Sequence, residues 1–165
     1  MEPKIIEKPT FHVLGYGIQT TTQNGQNSTD IPRFWQEFLQ NNLRNDIPNP
    51  ISPNVELGIC TDFNLQDGGF TYLIGMEVIS TELVPEGMIY RTFPAGQYAV
   101  FTTPPATNNT FVQSIQETWG FIFQSWLPSS GYEHSGGAEM ELYDERCWGN
   151  ENKQMDIYVP IKKVD

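Results

Sequence analysis

Glu141 is the residue of this chain whose type and setting best suit chemistry. It lies in Ala138-Glu139-Met140-Glu141-Leu142-Tyr143-Asp144-Glu145-Arg146, which reads as a strand. Side chains alternate between the faces of a strand, so Glu139, Glu141 and Tyr143 share one face and Met140 and Leu142 the other. The apolar pair is expected to meet the core. A carboxylate beside an aromatic ring in a groove can receive a cation. Kept dry and unpaired, it rises in pKa and can act as a general acid or base. On an open sheet the same acid is only a solvated residue, which is where most acids sit. Periodicity alone leaves both readings open.

Aromatic residues are 13% of the chain. Trp35, Phe38, Trp119 and Phe123 recur at helical spacing, a pattern that usually marks core, with Trp35 and Trp119 expected to show an edge to a groove. Tyr16, Phe101, Tyr143 and Tyr158 sit in strands and are expected to line that groove. There each ring face attracts a cation by about 0.5–2 kcal/mol. Other chemistries lack their residues. His12 and His134 have no serine or cysteine placed for a triad, and no metal-ligand spacing occurs. No histidine accompanies a haem-type groove motif. Gly68-Gly69 reads as a hairpin turn rather than a phosphate cradle. No cofactor is expected.

These residues need elements to hold them. Lys4 to Thr20 reads as a strand, bent near Gly15 and Gly17. A polar loop containing Asn24-Gly25 leads to a helix capped by Thr29 or Asp30, with Pro32 in its first turn and Phe34, Trp35, Phe38, Leu39 and Leu43 as its apolar stripe. Val55 to Phe63 and Phe70 to Ile79 form a hairpin around Asp67-Gly68-Gly69. Met88 to Thr102 is a strand interrupted at Pro94-Ala95-Gly96. Thr110 to Leu127 is a second helix, with Phe111, Ile115, Trp119, Ile122, Phe123 and Trp126 on its apolar side. Ala138 to Arg146 and Gln154 to Val164 are the last strands.

The order repeats. A gapless offset pairs Glu56 with Glu141, Phe34 with Trp119, Phe38 with Phe123 and Ile74 with Val159. Two strand-helix-strand-strand units follow, one over about 1–82 and one over about 88–165. The expected fold class is α+β: a single domain over 1–165, with one antiparallel sheet, two main helices and a central groove at the pseudo-twofold axis.

Charge bounds the partners. Nine Lys and Arg stand against 20 Asp and Glu, a net charge of −11. Such a surface repels phosphate backbones, so direct nucleic-acid binding is not expected, while cationic ligands are favoured. No stretch approaches a membrane span and the N-terminus lacks a leader pattern, so a cytoplasmic location is expected. Cys60 and Cys147 fit two free thiols or a disulfide.

Several phrases carry a resemblance. They are Pro94-Ala95-Gly96-Gln97-Tyr98-Ala99-Val100-Phe101, Trp126-Leu127-Pro128-Ser129-Ser130-Gly131-Tyr132-Glu133, Glu141-Leu142-Tyr143-Asp144-Glu145-Arg146, Met155-Asp156-Ile157-Tyr158-Val159-Pro160-Ile161-Lys162 and Tyr72-Leu73-Ile74-Gly75-Met76-Glu77-Val78. In that order they resemble the GyrI-like family, the effector-binding domain of AraC-type and BmrR-type transcription regulators. The resemblance implies a small-molecule groove that often takes hydrophobic cations, with a central glutamate at Glu141. It also admits a hydrolase of strained cyclopropane-containing compounds using the same glutamate as base, and a protein partner such as a separate regulator or gyrase. No helix-turn-helix precedes these phrases, so the chain reads as a stand-alone effector domain.

Overall fold

A computed structural model describes residues 1–165. The strands are β1 (Lys4–Lys8), β2 (Phe11–Thr21), β3 (Glu56–Thr61), β4 (Gly69–Val78), β5 (Ile89–Phe93), β6 (Gly96–Thr102), β7 (Tyr132–His134), β8 (Glu139–Tyr143) and β9 (Asp156–Lys163). The main helices are α1 (Asn27–Gln40) and α2 (Phe111–Phe121). The chain divides into two compact units, Thr10–Pro94 and Met1–Pro9 with Ala95–Asp165. All strand pairing within each unit is antiparallel, and each unit carries one main helix, giving the α+β class.

Each unit recruits a strand from beyond its own repeat. The Lys4 to Thr20 segment, read as one strand, breaks at Pro9-Thr10, because proline cannot donate to a ladder. Its first piece, β1, pairs with β6 in the second-repeat unit. The interruption at Pro94 likewise leaves β5 paired with β2 in the first-repeat unit.

In the first-repeat unit, the strand order is β3-β4-β2-β5. Leu14, Ile74, Met76 and Phe70 on the sheet pack with Phe34 and Phe38 of α1. This helix begins earlier than its sequence suggests. Asp30 does not cap it; its carboxylate accepts from Thr20 Oγ1 (2.9 Å) and Gln26 Nε2 (3.0 Å) instead. Pro32 consequently lies inside the helix.

The second-repeat unit runs β1-β6-β9-β8, with β7 also on β9. Its core joins Ala99, Phe101, Ile157, Val159 and Ile161 of the sheet to Phe111 and Ile122 of the helix, with Ile115, Trp119 and Trp126 packed against it. After Phe121 the helix opens into a π-turn over Ile122–Trp126, closed by a short turn at Leu127–Ser129. Such turns accommodate one extra residue and recur at functional sites.

The ladders also set the correspondence between repeats. Gly58 faces Ile74, and Glu141 faces Ile157, each 83 positions apart (58 to 141, 74 to 157). The gapless offset read from the sequence is two residues longer than this in the third and fourth strands. Gly58, not Glu56, therefore stands where Glu141 stands.

Cys60 and Cys147 lie in different units and form no disulfide. Cys147 is buried and its Sγ–H donates to the Gln154 carbonyl (3.2 Å). No helix is long and apolar enough to cross a membrane.

Candidate functional site

Strand register decides which way Glu141 points. Directly opposed residues of an antiparallel pair share a face. Glu141 opposes Ile157, which in turn opposes Phe101 on β6. Both partners are fully buried in the core beneath α2. Glu141 thus lies on the helix-covered face of the sheet. Met140 is buried as expected, but the face it shares with Leu142 is not the one under the helix. Those two oppose Tyr158 and Asp156 on the other face, where Met140 is also buried. Covering both faces of the strand removes the polar-out, apolar-in contrast on which that expectation rested.

Two donors hold the carboxylate. Trp119 Nε1–H donates to Oε1 (2.8 Å), and the Tyr143 hydroxyl donates to Oε2 (2.5 Å). Trp119 comes from α2, one helical turn before the π-turn; Tyr143 lies two residues along the same strand face. Burial pushes the Glu141 carboxyl above the ordinary carboxylate range. The bonds from Tyr143 and Trp119 oppose the rise, and the charge of Glu139 adds to it. The residue as a whole is of intermediate exposure.

An aromatic run flanks it. Trp119 stacks on Phe123 at 5.8 Å with 9° between ring planes, and Phe123 stacks on His134 at 6.3 Å and 25°. Phe123 is 41% exposed, a large apolar face left open to ligand or solvent. His134 Nε2 lies 3.1 Å from Glu139 Oε1, while its Nδ1 accepts from the Gly136 amide (3.0 Å). That amide bond assigns the neutral ring's proton to Nε2, aimed at Glu139.

The structure groups the sequence-derived candidates unevenly. Glu141, Trp119, Phe123 and Tyr143 come together. Phe101 is fully enclosed, edge-on to Phe121 and Trp126, because its strand face is the one packed under the helix. Tyr158 opposes Met140, so it stands on the face away from Glu141, edge-on to Tyr98 at 6.2 Å. Tyr16 and Trp35 belong to the other unit. Tyr16 meets Phe38 edge-on, and burial with the nearby Asp46 carboxylate pushes its phenol upward. Trp35 Nε1–H donates to the Tyr72 hydroxyl (2.8 Å). Glu139, His134 and Tyr72 complete these networks without having been singled out for them. The acid at every second position of Glu139-Met140-Glu141 was visible in the sequence, but the return of β7 that brings His134 alongside was not.

Residues 4–161 match the profile of Cass2, the integron-associated effector binding protein. The chain is 32% identical over 163 residues to the transcriptional regulator BrlR of Pseudomonas aeruginosa, covering 98% of this chain and 56% of that protein. It is 33% identical over 78 residues to a DNA gyrase inhibitor of Serratia proteamaculans, covering 47% of each. The chain therefore spans about half the length of these curated relatives. Its fold matches SAV2435 bound to tetraphenylphosphonium with a TM-score of 0.79 at 20% identity, covering 98% of this chain and 94% of that one. It also matches the EcmrR C-terminal domain with a TM-score of 0.61 at 14% identity, covering 99% and 98%.

Proposed function

The chain belongs to the Cass2 family of GyrI-like effector binding proteins, and from that premise we propose that it binds amphipathic organic cations at Glu141. The observation that carries this reading is the desolvated Glu141 carboxylate, fixed by Trp119 and Tyr143, beside the exposed ring of Phe123. Taking a charge out of water is costly unless it is paired. A lipophilic cation supplies that pairing and covers the aromatic wall in the same step, adding cation–π attraction. Tetraphenylphosphonium, the ligand of the structurally similar SAV2435, has this chemistry.

The test is calorimetric titration with tetraphenylphosphonium. The wild type binds it, and Glu141→Gln, which keeps shape and removes charge, weakens binding about tenfold, the scale of a partly desolvated ion pair. Unchanged affinity in that variant removes charge pairing from the mechanism.

The raised Glu141 carboxyl supports a second reading, a hydrolase in which Glu141 takes a proton from water and the Tyr143 hydroxyl orients it. Its test is turnover of a cyclopropane-bearing electrophile by the wild type and loss of turnover in Glu141→Gln.

A further inference from the structure

The networks around Glu141 extend past the requirements of a single charge. Glu139 shares its strand face two residues away, about 6–7 Å along the strand. Its side chain is 20% exposed, so the carboxylate is sheltered yet open. His134 fixes it from the side through Nε2–H, and the Gly136 amide locks the ring in that orientation. A neutral imidazole orients a carboxylate without cancelling its charge. A ring stack joins the partners of the two acids. Trp119 stands at Glu141 and His134 at Glu139, with Phe123 stacked between them. Two acids and three rings thus form parallel rows, each ending in a hydrogen-bonded pair.

A flat guest sliding along the rings meets one carboxylate at each end. The Glu139 charge disfavours the ionised form of Glu141, and a guest with one positive centre meets only one of the two acids. We propose that the site prefers flat aromatic cations carrying a positive centre at each end, with Glu141 holding one and the Glu139–His134 pair the other. This deepens the cation-binding reading above and rests on it. Glu139 is then a specificity residue, and His134 its positioning residue.

The matched probes are dimethyl-4,4′-bipyridinium, a flat dication, and N-methyl-4-phenylpyridinium, a monocation of nearly the same shape. The wild type should bind the dication about fivefold more tightly, the scale of one partly exposed ion pair. Glu139→Gln should abolish that preference, bringing the ratio of dication to monocation affinity close to one, and an unchanged melting transition shows that the variant is folded. His134→Phe keeps a ring in the stack and removes the hydrogen bond. It should reduce the dication-to-monocation ratio. Equal wild-type affinity for the two probes, with both weakened by Glu141→Gln, overturns the dication preference and leaves the cation site standing. No binding of either probe by the wild type removes both readings.

Discussion

The hydroxyl of Tyr72 occupies the volume that a side chain at Gly58 would need. A Cβ built on Gly58 would lie 2.3 Å from that hydroxyl oxygen, 3.1 Å from Tyr72 Cζ and 3.4 Å from Trp35. Gly58 holds the strand position that Glu141 holds in the other repeat, and each repeat places a tryptophan N–H there. In one the acceptor is a carboxylate; in the other it is a neutral phenol reaching over from β4. The duplication has kept the donor and replaced the charge.

Gly58→Ala should therefore destabilise the protein by about 1–3 kcal/mol, the cost of overpacking a closed site. Tyr72→Phe removes the clashing oxygen and with it the acceptor of the Trp35 bond, so alone it costs about 1 kcal/mol. The two together should cost clearly less than their sum. Urea unfolding of the four proteins in a double-mutant cycle measures this, and strict additivity would count against the shared volume.

Glu141 should trade stability for binding. Burial raises its carboxyl above the unfolded value, so the folded state holds its proton more tightly than the unfolded chain does. Stability is then greatest below the ordinary carboxylate range and declines as pH climbs from there through the raised folded value. Glu141→Gln should raise the melting temperature at neutral pH, equivalent to about 1 kcal/mol, and the gain should vanish in acid. Calorimetric scans across that window check the sign; a lower melting temperature for the variant at neutral pH refutes it.

Local pattern carried much of the fold into view. The two helices and the hairpin around Asp67-Gly68-Gly69 follow from periodicity and turn chemistry. What escaped depends on partners distant in sequence. Neither the alliance of β1 with β6 nor that of β5 with β2 leaves a local mark, since any strand with a free edge could accept them. Which face of β8 the helix covers was hidden because its one buried residue, Met140, lies on the face away from the helix. Phe101 and Tyr158 read as equivalent strand aromatics, and only the ladder register separates the enclosed one from the one on the far face. The Glu139–His134 contact needs the tight return of β7, which spans three residues.

The other buried acid, Glu56, is a structural liability held by Arg44. It is fully buried, and neither carboxylate oxygen accepts a hydrogen bond from the protein. Arg44 Nη1 lies 3.0 Å from Oε1, close enough for charge pairing though out of line for a bond. Burial pushes the carboxyl up and Arg44 pulls it back, leaving it raised. Arg44→Met should cost about 3 kcal/mol at neutral pH, because it strands a buried charge. The folded pKa then climbs further above the unfolded one, so the penalty should shrink as pH falls through the raised folded value. Chemical unfolding at neutral and acid pH tests this; a penalty independent of pH would show that Arg44 acts through packing instead.

Tyr143 and Trp119 should set the pH at which the cation site switches on. Under the proposed function, binding needs the ionised Glu141, so affinity is full above its folded pKa and falls as pH drops through it. Both hydrogen bonds lower that pKa against the effect of burial, and the Tyr143 bond does so more strongly than the Trp119 bond. Tyr143→Phe keeps the ring and loses a 2.5 Å bond. It should move the midpoint of tetraphenylphosphonium binding to higher pH and cut the affinity near neutrality about threefold, as expected for one lost charge-assisted bond in a partly open site. Trp119→Phe should shift the midpoint in the same direction by less, since it also preserves a stacking partner for Phe123. Glu141→Gln should flatten the profile altogether. A titration series of the three variants against the wild type reads all of this at once. Midpoints that stay in place in both aromatic variants would mean that the two donors position the carboxylate without tuning it, while a profile that survives in Glu141→Gln would assign the switch to another acid.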